Sequence, residues 1–165
     1  KVKNDKIEAS KDIEYNSNTF LDVNYSSEDS KGNKYIIKAK KGEIDYSDPN
    51  IIFLREVNAL IELNNSNNIK IKSDFGRYNS ENFDTIFSKN VVIDYLDNNI
   101  TGEYLDFSIN RNSMIISKNV IYNNLENILK ADVIFIEVDT KNTKIYMHNT
   151  EEKVNIQSKN KNGNN

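Results

Sequence analysis

Apolar and polar residues alternate with a period of two along most of this chain, most fully between Ile69 and Tyr95. Ile69, Ile71, Ser73 and Phe75 are separated by Lys70, Lys72 and Asp74, so an extended segment here has one apolar and one charged side. Gly76 and the polar run from Arg77 to Asp84 predict a reversal. Thr85-Ile86-Phe87-Ser88 follows, Lys89-Asn90 interrupts it, and Val91 to Tyr95 alternates again. The expected order is strand, turn, strand, short break, strand.

The rest of the chain repeats that unit. An earlier copy opens at Tyr35, Ile37, Ala39 and Gly42 and turns at Asp48-Pro49-Asn50. It continues through Ile51 to Leu54, a break at Arg55-Glu56, and Val57, Ala59, Ile61 and Leu63. A later copy runs from Ile100 through Leu105 and Phe107, turns at Asn110 to Asn112, and breaks at Lys118-Asn119 between Met114–Ser117 and Val120–Tyr122. A last copy uses Leu129, Ala131 and Val133 to Val138, turns at Asp139 to Asn142, and ends with Thr143 to Met147. Ile13 to Tyr25 predicts an opening hairpin and Val154 to Ile156 a closing edge strand. Gly42, Gly76 and Tyr104 hold similar places, as do Val57, Val91 and Val120, and their unequal spacing suits stacked hairpins better than a rigid solenoid. Asn123 to Asp132 has helix-compatible residues but is short and asparagine-led, and is read as a turn and strand start. The prediction is an all-β chain of repeated antiparallel strands, with a domain over residues 13–156, a charged tail over 1–12 and a polar, disordered tail over 157–165.

Composition narrows this picture. At 165 residues one domain with a real core is expected. Hydrophobic content is only 37% and mean hydropathy -0.70, so the available Ile, Leu, Val, Tyr and Phe must be concentrated on one face. A net charge of -3 weighs against a nucleic-acid surface, and no run approaches the ~18 apolar residues of a membrane span. With no cysteine, disulfides and thiolate metal sites are excluded.

Candidate chemistry is sparse. His148 is the only histidine, too little for a typical zinc site, and no Gly-x-Ser-x-Gly elbow, phosphate loop or dinucleotide fingerprint occurs. Asp45, Asp48, Asp74, Asp84, Asp97 and Asp139 fall at expected turns or strand ends, where aspartate serves the backbone. Arg55, Arg77 and Arg111 are too few for an obvious anion clamp, and Lys38, Lys40 and Lys41 read as residues that solvate an outward strand face. The expectation is a protein without catalytic residues, metal or cofactor. Its informative feature is a continuous apolar face, either closed as a dry sandwich or standing apart as a trough.

Tyr35-x-Ile37-x-Ala39-x-x-Gly42, Ile52-x-Leu54-x-x-Val57, Ile71-x-Ser73-x-x-Gly76-x-Tyr78 and Asn90-Val91, in this order, resemble the LptC-type lipopolysaccharide-export proteins of Gram-negative envelopes. The likeness covers about Tyr35 to Ile156 and adds the repeated Lys-Asn-Val before an alternating strand. It implies an open β-jellyroll, folded like a taco around an apolar groove, in a periplasmic protein anchored to the inner membrane by an N-terminal helix upstream of this sequence. It also implies the partners: lipopolysaccharide, the subunits of an inner-membrane ABC transporter, and an LptA-like bridge protein joined by edge-strand pairing near Ile13 to Tyr25 and Lys144 to Ile156. The groove expected from it is lined by Ile37, Ala39, Val57, Ala59, Ile61, Ile71, Ser73, Phe75, Val91, Ile93, Leu105, Phe107, Met114, Ile116 and Ile136. Burying about ten acyl methylenes there is worth on the order of 8 kcal/mol without any specific polar pocket. Two other readings stand beside it: a soluble LptA-like bridge protein, and a structural or adhesive β-repeat protein whose filled interior holds no lipid.

Overall fold

A computed structural model describes residues 18–147 and 154–159. The predicted tail over 1–12, the start of the predicted opening hairpin, His148 and most of the predicted polar tail lie outside these residues. Ten strands run in chain order: β1 Thr19–Glu28, β2 Lys34–Ile44, β3 Ile51–Glu62, β4 Ile69–Asn79, β5 Thr85–Tyr95, β6 Asn98–Ser108, β7 Ser113–Asn123, β8 Asn127–Glu137, β9 Thr143–Tyr146 and β10 Asn155–Ser158. They form one antiparallel sheet in which β1 to β8 pair strictly with their sequence neighbours. The far edge of β8 is shared, with β10 on Asn127–Lys130 and β9 on Val133–Ile136. The fold is an all-β open jellyroll.

Each predicted break proves to be a bend within one long strand. Glu56, Lys89-Asn90 and Lys118-Asn119 have left-handed backbone in the middle of β3, β5 and β7, and Asp22, where no break was predicted, has it in the middle of β1. The ladders slip there, between Ser88 and Val91 against β6 and between Ser117 and Val120 against β8. An unbroken alternation would hold one face throughout a strand, and an extra residue re-aims everything beyond it. Thus β3 buries Ile52 and Leu54 before Glu56, then Val57, Ala59 and Ile61 after it. The bends line up across the sheet as a crease that doubles it into two facing leaves. Gly102 of β6 lies on this line because space is short there: a Cβ would stand 2.9 Å from Ile116 Cγ2 and 3.4 Å from the Ser117 carbonyl.

Two cross-strand rows show the apolar lining. The first leaf carries Gly42, Leu54, Gly76, Phe87, Leu105, Ile116 and Ile134 in register from β2 to β8. The second carries Ile37, Ala59, Ile71, Ile93, Ile100, Tyr122 and Leu129. Ring contacts join the leaves across strands that are not neighbours in the sheet: Tyr25 to Tyr78 at 4.9 Å and Tyr35 to Phe107 at 5.9 Å.

Turn chemistry follows the expected aspartates and asparagines in part. Asp45 and Asp48 accept the amides of Ser47 and Asn50 at 2.9 and 3.0 Å, which closes the β2–β3 turn. Asn124 Oδ1 accepts from the amides of Glu126 and Asn127 at 2.9 and 2.8 Å, so the helix-compatible segment is a hairpin turn leading into β8. Asp74 departs from expectation. It lies in mid-strand at the crease and accepts a hydrogen bond from Asn90 Nδ2 at 2.7 Å.

Candidate functional site

The space between the leaves differs from one end to the other. Towards β1 it is packed with rings, and Tyr25, Tyr35, Tyr78, Phe83, Phe87 and Phe107 leave only ≈ 10 Å³. Towards β8 the lining is aliphatic, and Ile69, Ile93, Ile100, Met114 and Ile136 surround a cavity of ≈ 130 Å³. Its rim is polar: Tyr95, Asn98, Tyr122, Lys141 and Thr143. That volume is about four water molecules' share of the liquid. It suits the end of one acyl chain, not several whole ones.

Opposite the crease, turns from the two leaves meet along a seam with no strand pairing across it among the described residues. Lys31, in the β1–β2 turn, pairs with Asp139, in the β8–β9 turn, at 2.7 Å. Both side chains are well exposed, so this tie adds little to stability. Lys141 is half-buried beside it, with its ammonium 5.5 Å from the centre of the Tyr95 ring and donating to the Val138 carbonyl. Burial pushes the Lys141 ammonium below its usual range, opposed by Tyr95 and Asp139.

Asp29 organises the second-leaf side of the seam. Its carboxylate accepts from the amides of Lys31 and Asn33, from Asn33 Nδ2 and from the Tyr35 hydroxyl, at 2.8 to 3.0 Å. Burial acts to raise its pKa, but the hydrogen bonds from Asn33, Tyr35 and Lys31 outweigh it and hold the carboxyl below its usual range. Burial, then the neighbouring Asp29 charge, pushes the Tyr35 hydroxyl up.

Of the residues expected to line a groove, Ile37, Ala39, Val57, Ala59, Ile61, Ile71, Ser73, Val91 and Ile93 lie on the inner side of the second leaf. Leu105, Phe107, Met114, Ile116 and Ile136 face them from the first, and all of these are at most 7% exposed. Phe75 is the exception. The ladder slips between Lys72 and Phe75, so Gly76 and Tyr78 take the inner positions and Phe75 turns outwards, between Arg55 and Lys89. Ile93, Met114 and Ile136 reach the cavity itself. Ile69 and Ile100 were not among the expected lining residues, although extending the period-two pattern from Ile71 and Gly102 reaches them. The rim residues come from strand ends and turns, and no sequence pattern marks them.

Among the described residues, no group of three or more His, Cys, Asp or Glu side chains could hold a metal ion, and no helix is long and apolar enough to cross a membrane. No protein-family model matches the chain, and no curated protein matches it.

Proposed function

We propose that this protein handles a lipid between the two leaves of its folded sheet, as a periplasmic lipopolysaccharide-binding component of the LptC type. The observation that carries this reading is the aliphatic cavity between Ile69, Ile93, Ile100, Met114 and Ile136, which opens to a polar rim on the unpaired side of the sheet. Apolar burial has no direction, so an acyl chain that replaces the opposite leaf keeps the same side chains out of water. The leaves are joined covalently only through the crease, and the described ion pair across the seam is exposed and weak. Parting them to admit more of a lipid therefore exchanges one apolar partner for another.

Transfer fits the same physics. A neighbouring groove of similar lining makes the exchange nearly neutral, and an energy source such as an ABC transporter supplies direction. The outer edge of β1 carries no strand among the described residues, so it can accept an LptA-like bridge protein or a transporter subunit by strand addition. A soluble bridge protein would use the same edge.

Photo-crosslinkers at Ile93 and Ile136, with Lys70 on the outer face as the control, test this reading. Capture of lipopolysaccharide from the inner positions alone supports it, and capture from Lys70 alone removes it. The tightly filled ring-lined end favours a second reading, a structural β-repeat protein with no lipid. That reading gives no capture at any position.

A further inference from the structure

We propose that the outer side of the first leaf, between β2 and β6, is a binding site for a small anionic sugar. An open concavity of ≈ 630 Å³ lies here, larger than either space described between the leaves, and is lined among others by Lys41, Phe53, Arg55, Phe75, Arg77 and Tyr104. These residues converge through register. Lys41 is directly opposite Arg55, Arg55 is opposite Phe75, and Phe53 is opposite Arg77.

Two features of this face ask for an anion. Like charges directly opposite one another on neighbouring strands are destabilising, yet Lys41 and Arg55 are so placed. Neither they nor Arg77 form an ion pair with a described carboxylate. Two cations of this face flank one ring: the Arg55 guanidinium is 5.5 Å and the Lys89 ammonium 5.3 Å from the centre of Phe75, and Phe53 is 45% exposed. An arginine fork binds a phosphate or carboxylate through paired hydrogen bonds, while an exposed ring covers the apolar face of a pyranose.

The acidic neighbours limit ligand size. Glu43 lines the same concavity. Asp45, held down first by its hydrogen bonds from Ser47 and in lesser part by Arg77, lies beyond one end. Glu56 and Asp74 flank the other, at the crease. The next charges of an extended polyanion would meet Asp45, Glu56 and Asp74 as well, whereas a single sugar with one anionic group has only Glu43 beside it. The site is therefore suited to a hexose phosphate or a uronic acid and not to a nucleic acid.

Titration of the folded chain by NMR or calorimetry tests this site, with glucose 1-phosphate, galacturonate, glucose, inorganic phosphate, a single-stranded oligonucleotide and a polyglutamate peptide as probes. Saturable binding of glucose 1-phosphate or galacturonate, with no binding of glucose, is the expected result, and the tighter of the two identifies the anionic group. The Arg55→Gln/Arg77→Gln pair should weaken that binding about tenfold or more. Phe53→Ala should weaken the sugar ligand about fivefold while leaving inorganic phosphate unchanged. Glu43→Gln should tighten it about twofold. All these side chains face outwards, and circular dichroism reports whether each variant keeps the sheet. Absence of sugar-acid binding, equal binding of glucose, indifference to Phe53→Ala, or tighter binding of the oligonucleotide or peptide would overturn the assignment.

Discussion

The two ends of the interior are built on one plan and filled differently. Near β1 the facing rows meet through rings, Tyr25 on Tyr78 and Tyr35 on Phe107, and almost no space is left. Near β8 the same rows carry Ile93, Ile100, Met114 and Ile136, and a cavity persists. Branched aliphatic side chains reach less far across a gap than a ring does, so residue size contributes to the difference between a sealed end and an open one. The sealed end packs the leaves together, and the open end keeps space between them.

Removing a ring from the sealed end should have the largest effect. Phe107→Ala is expected to cost about 3–5 kcal/mol, read as a drop in the denaturant midpoint. A drop no larger than that of Ile136→Ala would erase the distinction between the ends. Next comes the crease beside the open end. Gly102→Ala places a methyl group 2.9 Å from Ile116 Cγ2, and about 1–3 kcal/mol should be lost through overpacking. A neutral result would mean that the crease is not tight.

Ile136→Phe narrows the difference from the other side. The added ring has ≈ 130 Å³ to enter, so stability should change by less than ~1.5 kcal/mol while lipid capture at Ile93 falls sharply. Unchanged capture would place the lipid elsewhere. The smallest effect concerns the seam. The folded pKa of Asp29 is depressed, so its contribution is present above the ordinary carboxylate range and is lost as pH falls through and below it. Unfolding of the native chain and of Asp29→Asn at about pH 6 and about pH 3 should show a smaller pH-dependent loss in the variant. An equal loss in both would detach Asp29 from acid sensitivity.

The comparison also marks what could be read in advance. Alternation at Ile69-Lys70-Ile71-Lys72 and its repeats specifies strands, and the turn residues between them specify sequence-neighbour pairing, because both signals are local. The interruptions at Arg55-Glu56, Lys89-Asn90 and Lys118-Asn119 were legible as breaks but not as bends within continuous strands. Phe75 shows the consequence. On paper it continues the phase of Ile71 and Ser73, but the ladder slips before it and the ring ends on the outer face. Extending a pattern through a bulge assigns the wrong face to everything beyond it.

The cavity and the outer cationic concavity follow the same division. The amino-acid order determined that one face would be apolar and that the strands would pair in series, since each depends on neighbours a few residues apart. Only the tertiary structure decided which side chains would meet across the fold, because that depends on where each crease residue turns left-handed and on how far a ring or an isoleucine reaches. Lys31 meeting Asp139, and Lys41 meeting Arg55 beside Phe75, are products of sheet register and doubling, which no local pattern records.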